Sequence, residues 1–274
     1  MRLSVPDFDN DRLLPAGAAA PADPAKAASM VPAMAMALAL ASNFGSAAQW
    51  RSDLLAHAQA LDGGPGWVAL VFQPQDGRLV LHRSSTPAQA AQPAELPQTV
   101  PQTLPPTLPE TLPEPLPETL PETQPMLALA TPGLGAPAGA WADLLDRIDW
   151  ALVYARYQTA VHNAGPDLGL AAQDIAGRVV LDVRRAGVFE VATSTLPDAR
   201  WCDPARVDDW SQQLPADQAV LVYCVYGHEV GRVTALRLRA AGLDARFLIG
   251  GIDGWQSTGR PLAAKFGPAS GAAS

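Results

Sequence analysis

The chain reads Tyr-Cys-Val-Tyr-Gly-His-Glu-Val-Gly-Arg over residues 223–232, where a strand pattern gives way to a helix pattern. An apolar run at 219–223 predicts a strand that ends directly before Cys224. A helical pattern begins at about Val230 and ends before Gly242, which stands at the position of a C-terminal cap. We therefore expect Cys224 to lie in a glycine-containing loop between a strand and a helix.

This setting favours a reactive form of Cys224. Backbone N–H groups in such a loop point inward, and a helix N-terminus adds partial positive charge. Both features stabilise an anion, and the first anion present is the thiolate of the cysteine. The sequence thus predicts that Cys224 is the catalytic nucleophile, within a binding loop formed by Val225, Tyr226, Gly227, His228, Glu229 and Val230.

Four motifs, in order, resemble those of the rhodanese-like sulfurtransferases. The Cys224 loop is similar to the active-site loop of that family. Val-Val-Leu-Asp-Val-Arg at 179–184 resembles its first strand, and Leu-Pro-Asp-Ala at 196–199 resembles its following turn. Leu-Ile-Gly-Gly-Ile-Asp-Gly-Trp at 248–255 resembles its closing motif. The resemblance covers about residues 170–264, roughly a third of the chain.

The resemblance implies a three-layer α/β domain over 165–264. Alternating helices and apolar strands independently predict a central parallel sheet, at whose carboxyl edge ligands bind. The implied activity is sulfur transfer: Cys224 takes sulfur from thiosulfate or a persulfide, and a thiol or cyanide then removes it. The resemblance implies neither a metal nor an organic cofactor. Asp182 and Arg184 match the family residues that support the loop.

Two loop residues depart from the family pattern. Many members carry Arg at the second position after the loop glycine, where this chain has Glu229. If Glu229 faces the pocket, we expect it to weaken the binding of a dianion such as thiosulfate. His228 could protonate a leaving group near neutral pH or simply cap the loop. The stretch after Arg184 is also about two residues longer than is usual in the family.

Two other functions are compatible with a related fold. Phosphatases and arsenate reductases use a Cys-x5-Arg loop to bind an oxyanion. Here that position holds Val230, and Arg232 falls inside the predicted helix, so this alternative is disfavoured. The second alternative is a non-catalytic binding or regulatory module, whose N-terminal unit would recruit a protein partner.

Composition limits the partners and the compartment. The 274 residues carry a net charge of −8, which argues against nucleic acid as a partner. Cys202 and Cys224 are the only cysteines; they imply no disulfide framework, and we interpret Cys202 as a small buried residue. The apolar run at 34–41 is too short to cross a membrane and lacks the basic flank of a signal peptide. We therefore expect a cytoplasmic protein.

The N-terminal part divides into an arm and a small unit. Residues 1–46 are rich in Ala and Pro and are predicted to be a disordered arm or to hold a short helix. Residues 47–83 predict a helix at 47–61 and a hairpin whose strands flank Pro-Gln-Asp-Gly at 74–77. So small a unit is not stable alone. We expect it to pack on the C-terminal domain, a second copy or a partner. His57 and His82 are interpreted as half-exposed surface residues.

A linker and a helix connect this unit to the C-terminal domain. More than half of the 27 prolines lie at 84–139, with five Glu and no Lys or Arg, which predicts an extended spacer. A docking ligand or a sortase signal is less compatible, since basic anchors are absent and Leu120 follows Leu-Pro-Glu-Thr at 116–119. Residues 140–164 predict one amphipathic helix that docks on the next domain or another chain. Residues 265–274 are predicted to be a disordered tail.

Overall fold

Residues 9–13, 24–61, 63–85, 124–132 and 139–265 are described by the structure, which is a computed structural model. The helices are α1 (Pro24–Phe44), α2 (Ala47–Gln59), α3 (Ala140–Asp146), α4 (Trp150–Asn163), α5 (Ala186–Val191), α6 (Val207–Ser211), α7 (Glu229–Ala240) and α8 (Gly251–Ser257). The strands are β1 (Trp67–Gln73), β2 (Arg78–Ser84), β3 (Gln124–Ala130), β4 (Gly169–Leu170), β5 (Val179–Asp182), β6 (Ser194–Thr195), β7 (Arg200–Trp201), β8 (Val220–Tyr223), β9 (Ala245–Leu248) and β10 (Ala263–Ala264).

The C-terminal domain is built on a parallel sheet in the order β4-β9-β8-β5-β7. Apolar residues of β5, β8 and β9 point to both faces, as strands of a sheet covered on two sides require. Ala235 and Leu238 of α7 belong to the core on one face. Ile252 and Trp255 of α8 belong to the core on the other. The predicted α/β fold with a central parallel sheet is confirmed.

The N-terminal unit is an antiparallel sheet in the order β2-β1-β3, covered on one face by helices. β1 and β2 form the predicted hairpin, with Val71 opposite Val80. Gly77 closes its turn at a φ of +70°, a backbone conformation that residues with a Cβ rarely adopt. The predicted hairpin therefore has the turn chemistry that its Asp-Gly sequence indicates.

One helix belongs to both units. Val233 and Leu236 of α7 lie in the same apolar core as α1, α2 and α4, while Ala235 and Leu238 face the parallel sheet. We expected the N-terminal unit to pack on the C-terminal domain, a second copy or a partner. The structure shows that it packs on the C-terminal domain. Because α7 also follows the Cys224 loop directly, this packing places the N-terminal unit beside the site.

The prediction of a disordered arm over residues 1–46 is wrong for residues 24–44, which form α1. Residues 24–44 form a helix of 21 residues, in which Met36 and Leu40 are fully buried. Ala, Met and Leu are strong helix formers, and docking against α2 and α4 supplies the burial that a composition-based interpretation underestimates. Residues 1–8 and 14–23 lie outside the described residues.

The prediction of an extended linker over residues 84–139 is wrong for residues 124–130, which form β3. Residues 124–130 pair with β1 as a third strand, with Leu127 opposite Leu70. β3 is an edge strand of this sheet. Pro125 is compatible with an edge strand because one side of such a strand needs no amide donors. The apolar run at 126–129 is flanked by prolines, which argue against a strand when only the sequence is considered. Residues 86–123 and 133–138 lie outside the described residues, as does most of the expected tail, 266–274.

The single helix expected over 140–164 is instead two helices, α3 and α4. The break falls at residues 147–149, where the Asp149 carboxylate accepts hydrogen bonds from the amides of Ala151 and Leu152. An aspartate in this role starts a new helix. The apolar stripe continues through the break because Ile148 is buried, so hydrophobic periodicity alone did not reveal it.

None of the helices in the described ranges combines the length and apolar character required to cross a bilayer.

Two methionines of α1 test whether this helix docks on the rest of the N-terminal unit. Met36 is completely buried, whereas Met34 is 63% exposed on the same helix. We expect Met36→Ala to lower the free energy of unfolding by about 2–5 kcal/mol because it leaves a cavity. Met34→Ala should change it by no more than about 0.5 kcal/mol. Urea unfolding followed by circular dichroism gives both values; equal effects would contradict the docking of α1.

Candidate active site around Cys224

Cys224 lies at the carboxyl edge of the parallel sheet. β8 ends at Tyr223 and α7 begins at Glu229, so the cysteine occupies the first position of the connecting loop. The residue is 6% exposed, and its sulfur lies close to the first turn of α7: a Cβ added at Gly231 would be 3.4 Å from Sγ. The thiol is thus held between a strand end and a helix N-terminus.

The loop is fixed from outside through its carbonyl groups. The amides of Ile252 and Asp253 donate hydrogen bonds of 3.0 Å to the carbonyls of Cys224 and Val225. Within the described part of the chain, no acceptor takes a hydrogen bond from the amides of residues 225–228. These amides, with the unpaired first turn of α7, provide donors for an anion.

Two glycines allow this close approach. A Cβ on Gly227 would meet the carbonyl of Leu248 at 2.5 Å, and the residue has a φ of +69°. A Cβ on Gly251 would lie 2.5 Å from the Cys224 carbonyl. Both positions therefore exclude a side chain by crowding, in addition to the strain of a positive φ. Gly227 faces this contact rather than the Cys224 pocket.

A buried ion pair lies below the loop. Asp182 is fully buried and accepts hydrogen bonds from Arg184 Nε at 2.9 Å and from the Tyr223 hydroxyl at 2.8 Å. The same hydroxyl accepts from the amide of Leu196 at 3.1 Å. Burial, and then the charge of Asp182, raise the pKa of Tyr223, so the phenol keeps its proton. This network joins β5, β8 and the segment that precedes β7.

The Glu229 carboxylate is paired. Its Oε1 accepts a hydrogen bond from the Tyr154 hydroxyl at 3.2 Å and lies 3.3 Å from Arg185 Nη2. Tyr154 belongs to α4; burial, followed by the charge of Glu229, raises its pKa to about 12. The expected repulsion between Glu229 and an anionic donor is therefore revised, because Arg185 compensates the charge.

A cavity of about 250 Å³ opens onto Cys224. Most of the predicted site residues line it: Cys224, Val225, Tyr226, His228, Glu229, Val230 and Arg184. Three further lining residues were not predicted as site residues: Tyr154, Arg185 and Val188. Both guanidinium groups of this lining are paired with carboxylates, Arg184 with Asp182 and Arg185 with Glu229. The exposed His228 ring lies 5.7 Å from that of Tyr226.

Sequence signals existed for some of the missed residues. Tyr154 lies in the segment that the sequence predicts as an amphipathic helix, and its hydroxyl is the available sign of a polar partner. Arg185 directly follows the matched Arg184, but it matches no residue of the family motif itself. Tyr223 ends a strand that is otherwise aliphatic, and a hydroxyl there requires a buried acceptor.

Comparison with known proteins identifies the domain. Residues 168–258 match the family model of the rhodanese-like domain. The chain therefore contains a rhodanese-like domain, and the resemblance noted in its motifs is confirmed.

Two similar solved structures each cover about a third of this chain. A rhodanese-related protein from Thermoplasma volcanium is 23% identical, with 35% of this chain and 96% of that protein covered and a TM-score of 0.32. A rhodanese-like domain protein from Staphylococcus aureus is 19% identical, with 32% of this chain and 89% of that protein covered and a TM-score of 0.29.

A short match of a different kind involves an iron superoxide dismutase from Cupriavidus metallidurans. It is 46% identical over 46 residues, which are 17% of this chain and 23% of that protein. An iron centre requires several His, Asp or Glu ligands around one point. Across the described ranges, no three His, Cys, Asp or Glu side chains are grouped to hold a metal ion. The described residues therefore do not fit an iron site.

Gly227 and Gly259 provide a matched test of the loop geometry. Both have a similar positive φ, but nothing lies within 4 Å of a Cβ at Gly259. We expect Gly259→Ala to cost about 1–2 kcal/mol from backbone strain alone. Gly227→Ala should cost more, since its Cβ collides with the Leu248 carbonyl. Thermal unfolding measures the difference; a loss at Gly227 no larger than at Gly259 would contradict the crowded contact.

Proposed function

We propose that the chain is a sulfurtransferase that carries sulfur as a persulfide on Cys224. The Cys224 thiolate attacks the outer sulfur of a donor such as thiosulfate. The S–S bond of the donor breaks, and sulfite leaves with the electron pair. A thiol or cyanide then attacks the outer sulfur of the persulfide, and Cys224 leaves as the thiolate. No external oxidant or reductant is consumed.

The observation that carries this proposal is the position of Cys224 beside unpaired amides. The Cys224 sulfur lies close to the first turn of α7, and the amides of residues 225–228 donate no hydrogen bond to another described residue. These donors stabilise the thiolate, the persulfide and the anionic transition state that connects them. The rhodanese-like domain match supports the same chemistry.

The size of the pocket supports a small donor. In the cavity of about 250 Å³, Arg184 is paired with the buried Asp182 and Arg185 with Glu229, which leaves the backbone amides of the loop as donors for an anion. A volume of this size suits an inorganic ion or a short persulfide rather than a large substrate. We place the reaction in the cytoplasm, because a reducing compartment keeps Cys224 as a free thiol.

Mass spectrometry of the full chain tests the proposal. We expect incubation with thiosulfate, and separately with a low-molecular-weight persulfide, to add one sulfur atom to Cys224. Cyanide should remove that atom, and Cys224→Ser should not acquire it. If neither donor loads a thiol shown to be free and reduced, the enzymatic proposal fails and the non-catalytic binding module takes its place.

The pairing of Arg185 with Glu229 gives a second prediction. Arg185→Gln leaves the carboxylate without its counter-charge beside the thiolate, so loading by thiosulfate should slow by about tenfold or more. Adding Glu229→Gln should restore most of the rate, because the unpaired charge is removed. Stopped-flow measurement of loading gives the rates.

Arg206→Gln is the matched control, since the Arg206 side chain is 70% exposed, pairs with Asp209 and does not line the Cys224 pocket. Its loading rate should equal that of the unmodified protein. A double variant as slow as Arg185→Gln alone would show that Arg185 holds the donor directly instead of compensating Glu229.

A further inference from the structure

A second cavity lies where the N-terminal unit meets the C-terminal domain. Its volume is about 210 Å³, and it is bounded by α1, α4, α7 and the turn at Pro204–Arg206. Two of these elements, α1 and α4, lie outside the residues that match the family model. The rhodanese-like domain alone therefore does not form this cavity.

The walls of the cavity are mainly apolar. Leu38 and Ala39 contribute from α1, Val230 and Val233 from α7, and Pro204 from the turn. For comparison, a dry apolar cavity of about 150 Å³ holds one benzene molecule. The volume of the present cavity thus accommodates a ligand of one ring with a short substituent.

Tyr157 supplies a polar group in these apolar surroundings. The side chain is 4% exposed, its ring packs edge-on against Phe72, and it lines the cavity. Burial, and then the charge of Glu229, raise the pKa of Tyr157, so the hydroxyl keeps its proton. Among the residues that the structure describes, none forms a hydrogen bond with this hydroxyl. Since a buried hydroxyl normally has a partner, Tyr157 offers an unused donor to a ligand.

No cation among the described lining residues is left for an anionic ligand. Arg185 is paired with Glu229, and both side chains line the cavity. Asp203 is the remaining charged residue of the lining, and one of its oxygens accepts a hydrogen bond of 2.9 Å from the Ala205 amide. Asp203 disfavours an anion, while Arg185 and the apolar walls disfavour a cation. The lining therefore favours an uncharged ligand.

We propose that this cavity is a binding site for a small uncharged molecule that joins one hydrophobic ring to a single hydrogen-bond acceptor, as an aromatic ketone does. The ring occupies the apolar space between α1 and α7, and the acceptor takes the hydrogen bond of the Tyr157 hydroxyl. This site does not depend on the proposed sulfur transfer. Arg185, Glu229 and Val230 also line the Cys224 pocket, so the bound molecule lies against residues of the active site.

Titration with acetophenone tests the site. In two-dimensional NMR spectra of the isotope-labelled full chain, we expect saturable shifts of the amides at 203, 205 and 230–234, which lie at the cavity. Saturation should require millimolar ligand, because so small a molecule forms few contacts. Benzylamine provides the charged comparison. Tighter binding of benzylamine than of acetophenone would assign the site to a cation and overturn the proposal.

Tyr157→Phe removes the hydroxyl and keeps the ring. It should weaken acetophenone binding by about three- to tenfold, the net value of one neutral hydrogen bond. It should not weaken the binding of α-methylstyrene, which has the same shape with a methylene group in place of the carbonyl oxygen. Because the hydroxyl has no partner in the free protein, the variant should also keep its melting temperature. A lower melting temperature would show that a protein group already holds the hydroxyl, against the proposal.

A blocking variant locates the site. Ala205 is exposed and lines the cavity, so Ala205→Trp fills the cavity without disturbing the core and should abolish binding. Ala240→Trp is the matched control, because Ala240 is exposed on α7 but does not line the cavity. Its binding should equal that of the unmodified protein. Absence of saturable shifts in the unmodified protein, equal acetophenone binding in Tyr157→Phe, or binding that survives Ala205→Trp would each overturn the proposal.

Discussion

The burial of α7 on two sides is the constraint on which the other features depend. One side packs on the parallel sheet through Ala235 and Leu238, and the other packs on the N-terminal unit through Val233 and Leu236. The first turn of this helix adjoins Cys224 and carries Glu229. Any displacement of the N-terminal unit would therefore act on the helix end that faces the sulfur.

The charged side chains at the site form two ion pairs, one below the loop and one beside it. Below the loop, Asp182 and Arg184 form a buried pair that is satisfied by Tyr223 and neighbouring backbone groups. Beside it, Arg185 and Tyr154 hold the Glu229 carboxylate, which lines the Cys224 pocket. A buried pair of this kind tolerates little change, since removal of one partner leaves the other uncompensated. The amides of the loop remain as donors.

The sequence predicted the C-terminal domain well and the N-terminal unit only in part. Apolar strands around Cys224 and Asp182 carry strong local signals, and the family motifs fix their order. The helix of Met36 depends on burial against distant residues, which composition does not show. The strand at Met126 lies among prolines, and the break at Asp149 interrupts no apolar stripe. In the site, Tyr154 and Arg185 meet Glu229 only through tertiary packing, so no spacing along the chain brings them together.

The shared core around α7 also limits how far the protein is modular. The family match spans residues 168–258, but Val233 and Leu236, which lie inside it, are covered by helices from outside it. A fragment cut at the family boundaries would expose these side chains to water as an apolar patch that promotes aggregation. The same fragment would lose Tyr154 from its pocket wall. The sequence boundary of the domain is thus narrower than the smallest piece of the chain that holds the site in the form seen here.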